Sequence, residues 1–157
     1  MVGTAQSRES IEVLVVEDNP GDVRLVRYAL AEADSWPVKL TVAEDGEKAI
    51  NYLHQKGSFK LAERPDLVIL DLNLPKCSGT EVLKVIRETE ALKDIRVVIL
   101  SSSPEDVIRN TVLNADVEPD CYFTKPPDFD EFLALGRKIR GCFEKRGCDC
   151  HKVDDRY

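Results

Sequence analysis

The chain has 157 residues, 29 of them acidic and 22 basic, for a net charge of −7. That length predicts one compact domain, and the acidic excess repels a phosphate backbone, so nucleic-acid binding is not expected. Apolar residues make up 43% of the chain, enough for a core, yet no run approaches the roughly 20 apolar residues of a membrane span and the polar start carries no signal-peptide stretch, so the expected location is cytoplasmic, without membrane contact.

Residues 13–16 are an unbroken apolar run ending in Glu17-Asp18, the pattern of a strand buried on both faces. Asn19-Pro20 supplies an N-cap and a first-turn proline, and Val26, Ala29, Leu30 and Ala33 follow at i, i+3, i+4, i+7, which predicts the first helix. Residues 38–43 alternate weakly and suit a strand nearer an edge; Ala49, Ile50 and Leu53 mark a short second helix ending before Gly57, and 55–64 is a polar loop. The run 67–70 ends in Asp71, and Ser78 with Glu81 has capping-box spacing ahead of Val82, Leu83 and Ile86, the face of a third helix. The run 97–100 leads into Ser101-Ser102, and Ser103-Pro104 repeats the cap-then-proline device for a fourth helix. Residues 121–124 form a short last strand before Lys125-Pro126-Pro127, and Asp128 with Glu131 precedes Phe132, Leu135 and Ile139 on a fifth helix.

Strict alternation of buried strands and amphipathic helices predicts an α/β class, a doubly wound parallel sheet with helices on both faces. The expected organisation is a flexible segment over 1–9, one domain over 10–145 and a tail over 146–157 with no DNA-binding, cyclase or kinase module. In such sheets ligands bind outside the carboxyl ends of the strands. Those ends carry Glu17, Asp18, Asp71, Ser101, Ser102 and Lys125. Crowded carboxylates raise one another's pKa and call for a cation, and ligands that are all oxygen favour Mg²⁺. A carboxylate nucleophile, a metal and a lysine suit phosphoryl transfer, with Asp71 attacking in line and a serine hydroxyl bonding the phosphoryl group.

The segments VLVVEDNPGDVRL (13–25), DLVILDLNLPKCSG (66–79), VVILSSS (97–103) and YFTKP (122–126) resemble the receiver domains of two-component response regulators. Four separated motifs fall in order, each at a strand end, and the match spans nearly the whole chain. The sequence is most similar to the stand-alone regulators that partner phytochrome-type sensor kinases. The resemblance implies a flavodoxin-like receiver fold of five strands in the order 2-1-3-4-5 with five helices. It also implies that Asp71 is the phosphoacceptor and that Glu17, Asp18, Asp71 and the main-chain carbonyl of Asn73 hold Mg²⁺. Lys125, Ser101 and Ser102 are then the phosphate-binding residues, Ser101 and Tyr122 the switch pair, and the Lys125-Pro126 bond is expected to be cis. The partners it implies are a sensor histidine kinase and a downstream protein reading the face of the fourth helix, fifth strand and fifth helix. Phe132, Leu135, Ile139 and Phe143 add apolar surface for a homodimer there.

Other readings stand beside this one. A dehalogenase-type phosphatase needs a second acid two positions after its nucleophile, where this chain has Asn73, so the chain is not expected to be an enzyme beyond slow hydrolysis of its own aspartyl phosphate. A receiver-like adaptor that works without phosphorylation is the alternative, and the intact set of Glu17, Asp18, Asp71, Ser101 and Lys125 counts against it. Where many receivers close the fourth helix with Leu-Gly-Ala, this chain has Leu113-Asn114-Ala115 and then an acidic stretch to Asp120. The five cysteines, Cys77, Cys121, Cys142, Cys148 and Cys150, are odd in number and scattered, so reduced thiols are expected; Cys148-Asp149-Cys150-His151 lacks the usual zinc spacing.

Overall fold

The computed structural model describes residues 10–144; the segment 1–9, the tail 146–157 and the Cys148 to His151 group lie outside the described residues. Strands β1 (Ile11–Val16), β2 (Val38–Ala43), β3 (Leu67–Leu70), β4 (Arg96–Ser101) and β5 (Cys121–Thr124) alternate with helices α1 (Pro20–Ala31), α2 (Gly46–Leu53), α3 (Gly79–Glu88), α4 (Glu105–Ala115) and α5 (Phe129–Glu144). All pairings are parallel and the strand order is 2-1-3-4-5, as the resemblance implies. The weakly alternating β2 is an edge strand, while β1, β3 and β4 are buried almost throughout, because helices cover both of their faces. No helix among the described residues is long and apolar enough to cross a membrane.

Two apolar layers hold the sheet. One lies under α1 and α5, with Val15, Ile69, Val26, Leu30, Phe132 and Ile139; the other lies under α2, α3 and α4, with Val16, Leu70, Leu53, Leu83, Ile86 and Ile108. Helices α1 and α5 approach so closely that a Cβ on Gly136 would collide with the carbonyl oxygen of Ala29. This contact overturns one expectation. Phe132, Leu135 and Ile139 are 2%, 4% and 1% exposed, and the Phe143 ring lies against Trp36, so these four residues are used inside the chain and cannot form a dimer seam. The large apolar residues left exposed near that face are Val107, Leu113 and Phe129.

The helix starts follow local rules with one exception. Asn19 Oδ1 accepts from the Gly21 and Asp22 amides, and Ser78 and Glu81 complete the capping box. Asp128 Oδ2 accepts from the Glu131 amide. At α4 the expected serine cap is absent: Pro104 itself is the cap position, because Ser103 is engaged elsewhere, its amide donating to Ser101 Oγ at 3.2 Å and its carbonyl accepting from Thr124 Oγ1 at 2.7 Å. Helix α4 ends with Asp116 in the left-handed conformation, φ 59°, doing the work usually given to glycine. The acidic stretch after it is tied down when Asp120 Oδ2 accepts from the Val97 amide and from Arg87.

The cysteines also depart from expectation. Cys121 at the start of β5 and Cys142 on α5 are joined by a disulfide, 21 residues apart in sequence, where reduced thiols were expected. The cause is tertiary: α5 folds back along the sheet and buries both side chains, 1% and 2% exposed, in one layer. Cys77 is the free cysteine among the described residues.

Candidate functional site

Register places the acids. Val16 pairs with Leu70, so Glu17 and Asp71 leave the sheet side by side, Glu17 donating its amide to the Ala43 carbonyl at 3.0 Å and Asp71 to the Val16 carbonyl at 3.1 Å. Both side chains are buried and Asp18 is exposed. Glu17, Asp18 and Asp71 each present one carboxylate oxygen within 4.8 Å of the others. After Asp71 the chain doubles back: the Asn73 amide donates to Asp71 Oδ1 at 3.4 Å, the Gly79 amide donates to the Leu72 carbonyl, and a side chain at Gly79 would strike the Asp71 carbonyl. Glycine is needed there so that α3 can begin directly beneath the acid.

From the other side β5 delivers Lys125, whose amide donates to the Ser101 carbonyl at 2.7 Å. Its ammonium Nζ lies 2.7 Å from Glu17 Oε1, 2.7 Å from Asp22 Oδ2 and 3.9 Å from Asp71 Oδ2. The Lys125-Pro126 bond is trans, contrary to expectation; the lysine reaches the acids in the ordinary isomer, which X-Pro bonds prefer by about 0.5–1 kcal/mol.

The charges are unbalanced. Burial pushes the Glu17 and Asp71 carboxyls above the usual carboxylate range; Lys125 pulls both back, while Asp71 adds to the rise at Glu17 and Asp18 to that at Asp71. For Lys125, loss of solvent acts to lower its pKa, but its hydrogen bonds to Asp22 and Glu17 and the charge of Asp71 outweigh this and raise it. One ammonium therefore serves a group of carboxylates. An oxygen-only set of three acids, two of them buried, suits a hard divalent cation such as Mg²⁺, and Glu17, Asp18 and Asp71 are the residues placed to hold it.

The other expected residues divide. Ser101 is fully buried at the end of β4 with its hydroxyl accepting from the Ser103 amide, and Ser102 beside it is exposed. Tyr122 is half-buried on β5 and packs against the layer that includes Ile108 and Val112 of α4. Asp22 is the site residue that sequence reasoning missed. An acid in the first turn of a helix reads as a complement to the helix dipole, and nothing local signals that it meets a lysine 103 residues away.

The chain is similar to known proteins. Residues 13–137 match the response regulator receiver domain. Response regulator Rcp1 of Synechocystis sp. is 40% identical over 129 residues, covering 81% of this chain and 84% of that protein. Among solved structures, the phosphorylated cyanobacterial phytochrome response regulator RcpA has a TM-score of 0.77 at 36% identity, covering 88% of this chain and 96% of its own. The Mn²⁺-bound form of response regulator Rcp1 has a TM-score of 0.73 at 34% identity, with coverages of 83% and 92%. The 2-1-3-4-5 sheet, the acids at the ends of β1 and β3 and the lysine at the end of β5 thus have one common explanation: the chain belongs to the family of response regulator receiver domains.

Proposed function

We propose that the chain takes a phosphoryl group from the phosphohistidine of a sensor kinase onto Asp71 and signals through the surface change that follows. The observation that carries this reading is the buried pair Glu17 and Asp71, with Asp18 beside it and Lys125 facing it, at the carboxyl edge of the sheet. A carboxylate oxygen of Asp71 attacks phosphorus in line; the new O–P bond forms as the P–N bond to the donor imidazole breaks, and the electron pair leaves on that nitrogen. Glu17, Asp18, Asp71 and the Asn73 carbonyl hold Mg²⁺ in this reading, which offsets the charge of the phosphoryl oxygens when bound. Lys125 pairs with one of those oxygens. Ser101, with Ser102 at the same strand end, bonds another, and Tyr122 follows Ser101 inward, biasing a pre-existing equilibrium at the α4, β5 and α5 face.

Similarity to the cyanobacterial phytochrome response regulator RcpA supports a phytochrome-type histidine kinase as the partner, and the cytoplasm is the location proposed with it. A downstream protein or a second copy reads the α4, β5 and α5 face; light scattering before and after phosphorylation tests the second copy, and a monomer in both states removes it.

Purified protein incubated with Mg²⁺ and acetyl phosphate is expected to gain a single phosphoryl adduct by intact mass, lost in Asp71→Asn and in chelator. A folded protein that gains no adduct overturns the reading in favour of a phosphorylation-independent adaptor.

A further inference from the structure

The acid least expected at the site is the one that holds its lysine. Asp22 Oδ2 and Glu17 Oε1 each lie 2.7 Å from Lys125 Nζ, within charge-assisted hydrogen-bond length, whereas Asp71 Oδ2 at 3.9 Å lies beyond it. The lysine side chain is 10% exposed and Asp22 27%, so the pair is shielded enough for its attraction to matter. Asp22 is also held in place. Its amide and that of Gly21 donate to the Asn19 cap, and the Asn19 amide donates to Glu17 Oε2 at 3.1 Å, which locks the first turn of α1 to the same carboxylate that shares the lysine. A helix-dipole role alone would leave this side chain free to point at solvent.

We propose that Asp22 is a positioning residue that, with Glu17, holds the Lys125 ammonium at a standoff from Asp71. Asp71 then keeps an oxygen free to attack, and the incoming phosphoryl oxygen enters the gap between Asp71 and the ammonium. Without Asp22 the ammonium has only Glu17 and Asp71 to share, and it closes onto Asp71, masking the nucleophile and filling the place of the phosphoryl oxygen. The inference rests on the reading of Asp71 as phosphoacceptor. It adds that the resting position of Lys125 is set from α1.

The test compares wild type, Asp22→Asn and Asp22→Glu in the full chain. The rate of adduct formation from acetyl phosphate is expected to fall about tenfold or more in Asp22→Asn, the scale of a misplaced reacting group, and to recover most of that loss in Asp22→Glu, which restores the carboxylate. A rate for Asp22→Asn equal to or above that of wild type overturns the proposal. Failure of wild type itself to take a phosphoryl group is failure of the parent reading instead. In that event the crystal structure of Asp22→Asn still decides: Nζ within hydrogen-bond distance of Asp71 supports the proposal, and Nζ still at its standoff refutes it.

Discussion

Two charge clusters at opposite ends of the sheet, one around Arg87 and one around Lys125, handle charge in opposite ways. At the amino edge, Arg87 of α3 donates to the carbonyls of Glu118, Lys93 and Ile95 and to Asp120, and Asp120 also accepts from the Val97 amide. One cation meets one acid, and carbonyls take the remaining donors. The disulfide from Cys121 to Cys142 closes the same edge covalently. At the carboxyl edge, Lys125 faces Glu17, Asp22 and Asp71 with Asp18 alongside, and burial raises two of those carboxyls. A cluster whose charges are matched serves the fold, whereas one left short of positive charge carries a cost that a bound cation would relieve.

Breaking the disulfide tests the amino edge hardest. A closed loop of this length predicts that Cys142→Ser costs about 3 kcal/mol, or roughly 10 °C in Tm for a chain of this size. Thermal melts with and without reductant check it, and an unchanged Tm in reductant would show the bond to be irrelevant to stability. Arg87→Ala is expected to cost about 2 kcal/mol in urea unfolding, since it strands the Asp120 carboxylate, while leaving the cation-dependent gain in Tm intact.

The carboxyl edge should respond with the opposite sign. Asp71→Asn is expected to stabilise the cation-free protein by about 1 kcal/mol and to abolish most of the stabilisation that Mg²⁺ confers on wild type; a destabilised variant would mean that the crowding is already relieved. The smallest effect concerns Cys77 in the loop before α3. Burial, aided by Glu81, pushes its thiol up to about 11, so at pH 8 its thiolate is on the order of a hundredfold scarcer than that of a free thiol. Peptide mapping after iodoacetamide should find Cys77 nearly unmodified at pH 8 and alkylated as the pH approaches 11, with no change in Tm at the lower pH.

Much of this was legible in the residue order, for local reasons. The buried strands are continuous β-branched runs, and the caps at Asn19 and Ser78 act within three residues of themselves, so a linear reading finds both. The acids and the lysine at the strand ends were legible because a parallel α/β sheet brings every carboxyl end to one edge. The Ser103 cap misled because Thr124, 21 residues on, takes the Ser103 carbonyl and Ser101 takes its amide.

By itself, then, the sequence determined the class of fold, the position of each strand and α-helix and the chemistry offered at the carboxyl edge, all of which follow from periodicity and from residues close in the chain. Only the tertiary structure decided which partners those residues take. It spent the apolar face of α5 on α1 at the Gly136 contact, joined Cys121 to Cys142 and gave Lys125 to Asp22 and Glu17. Each of those choices depends on distances between segments far apart in the chain, and the packing of α1 and α5 on the sheet, not any local propensity, sets them.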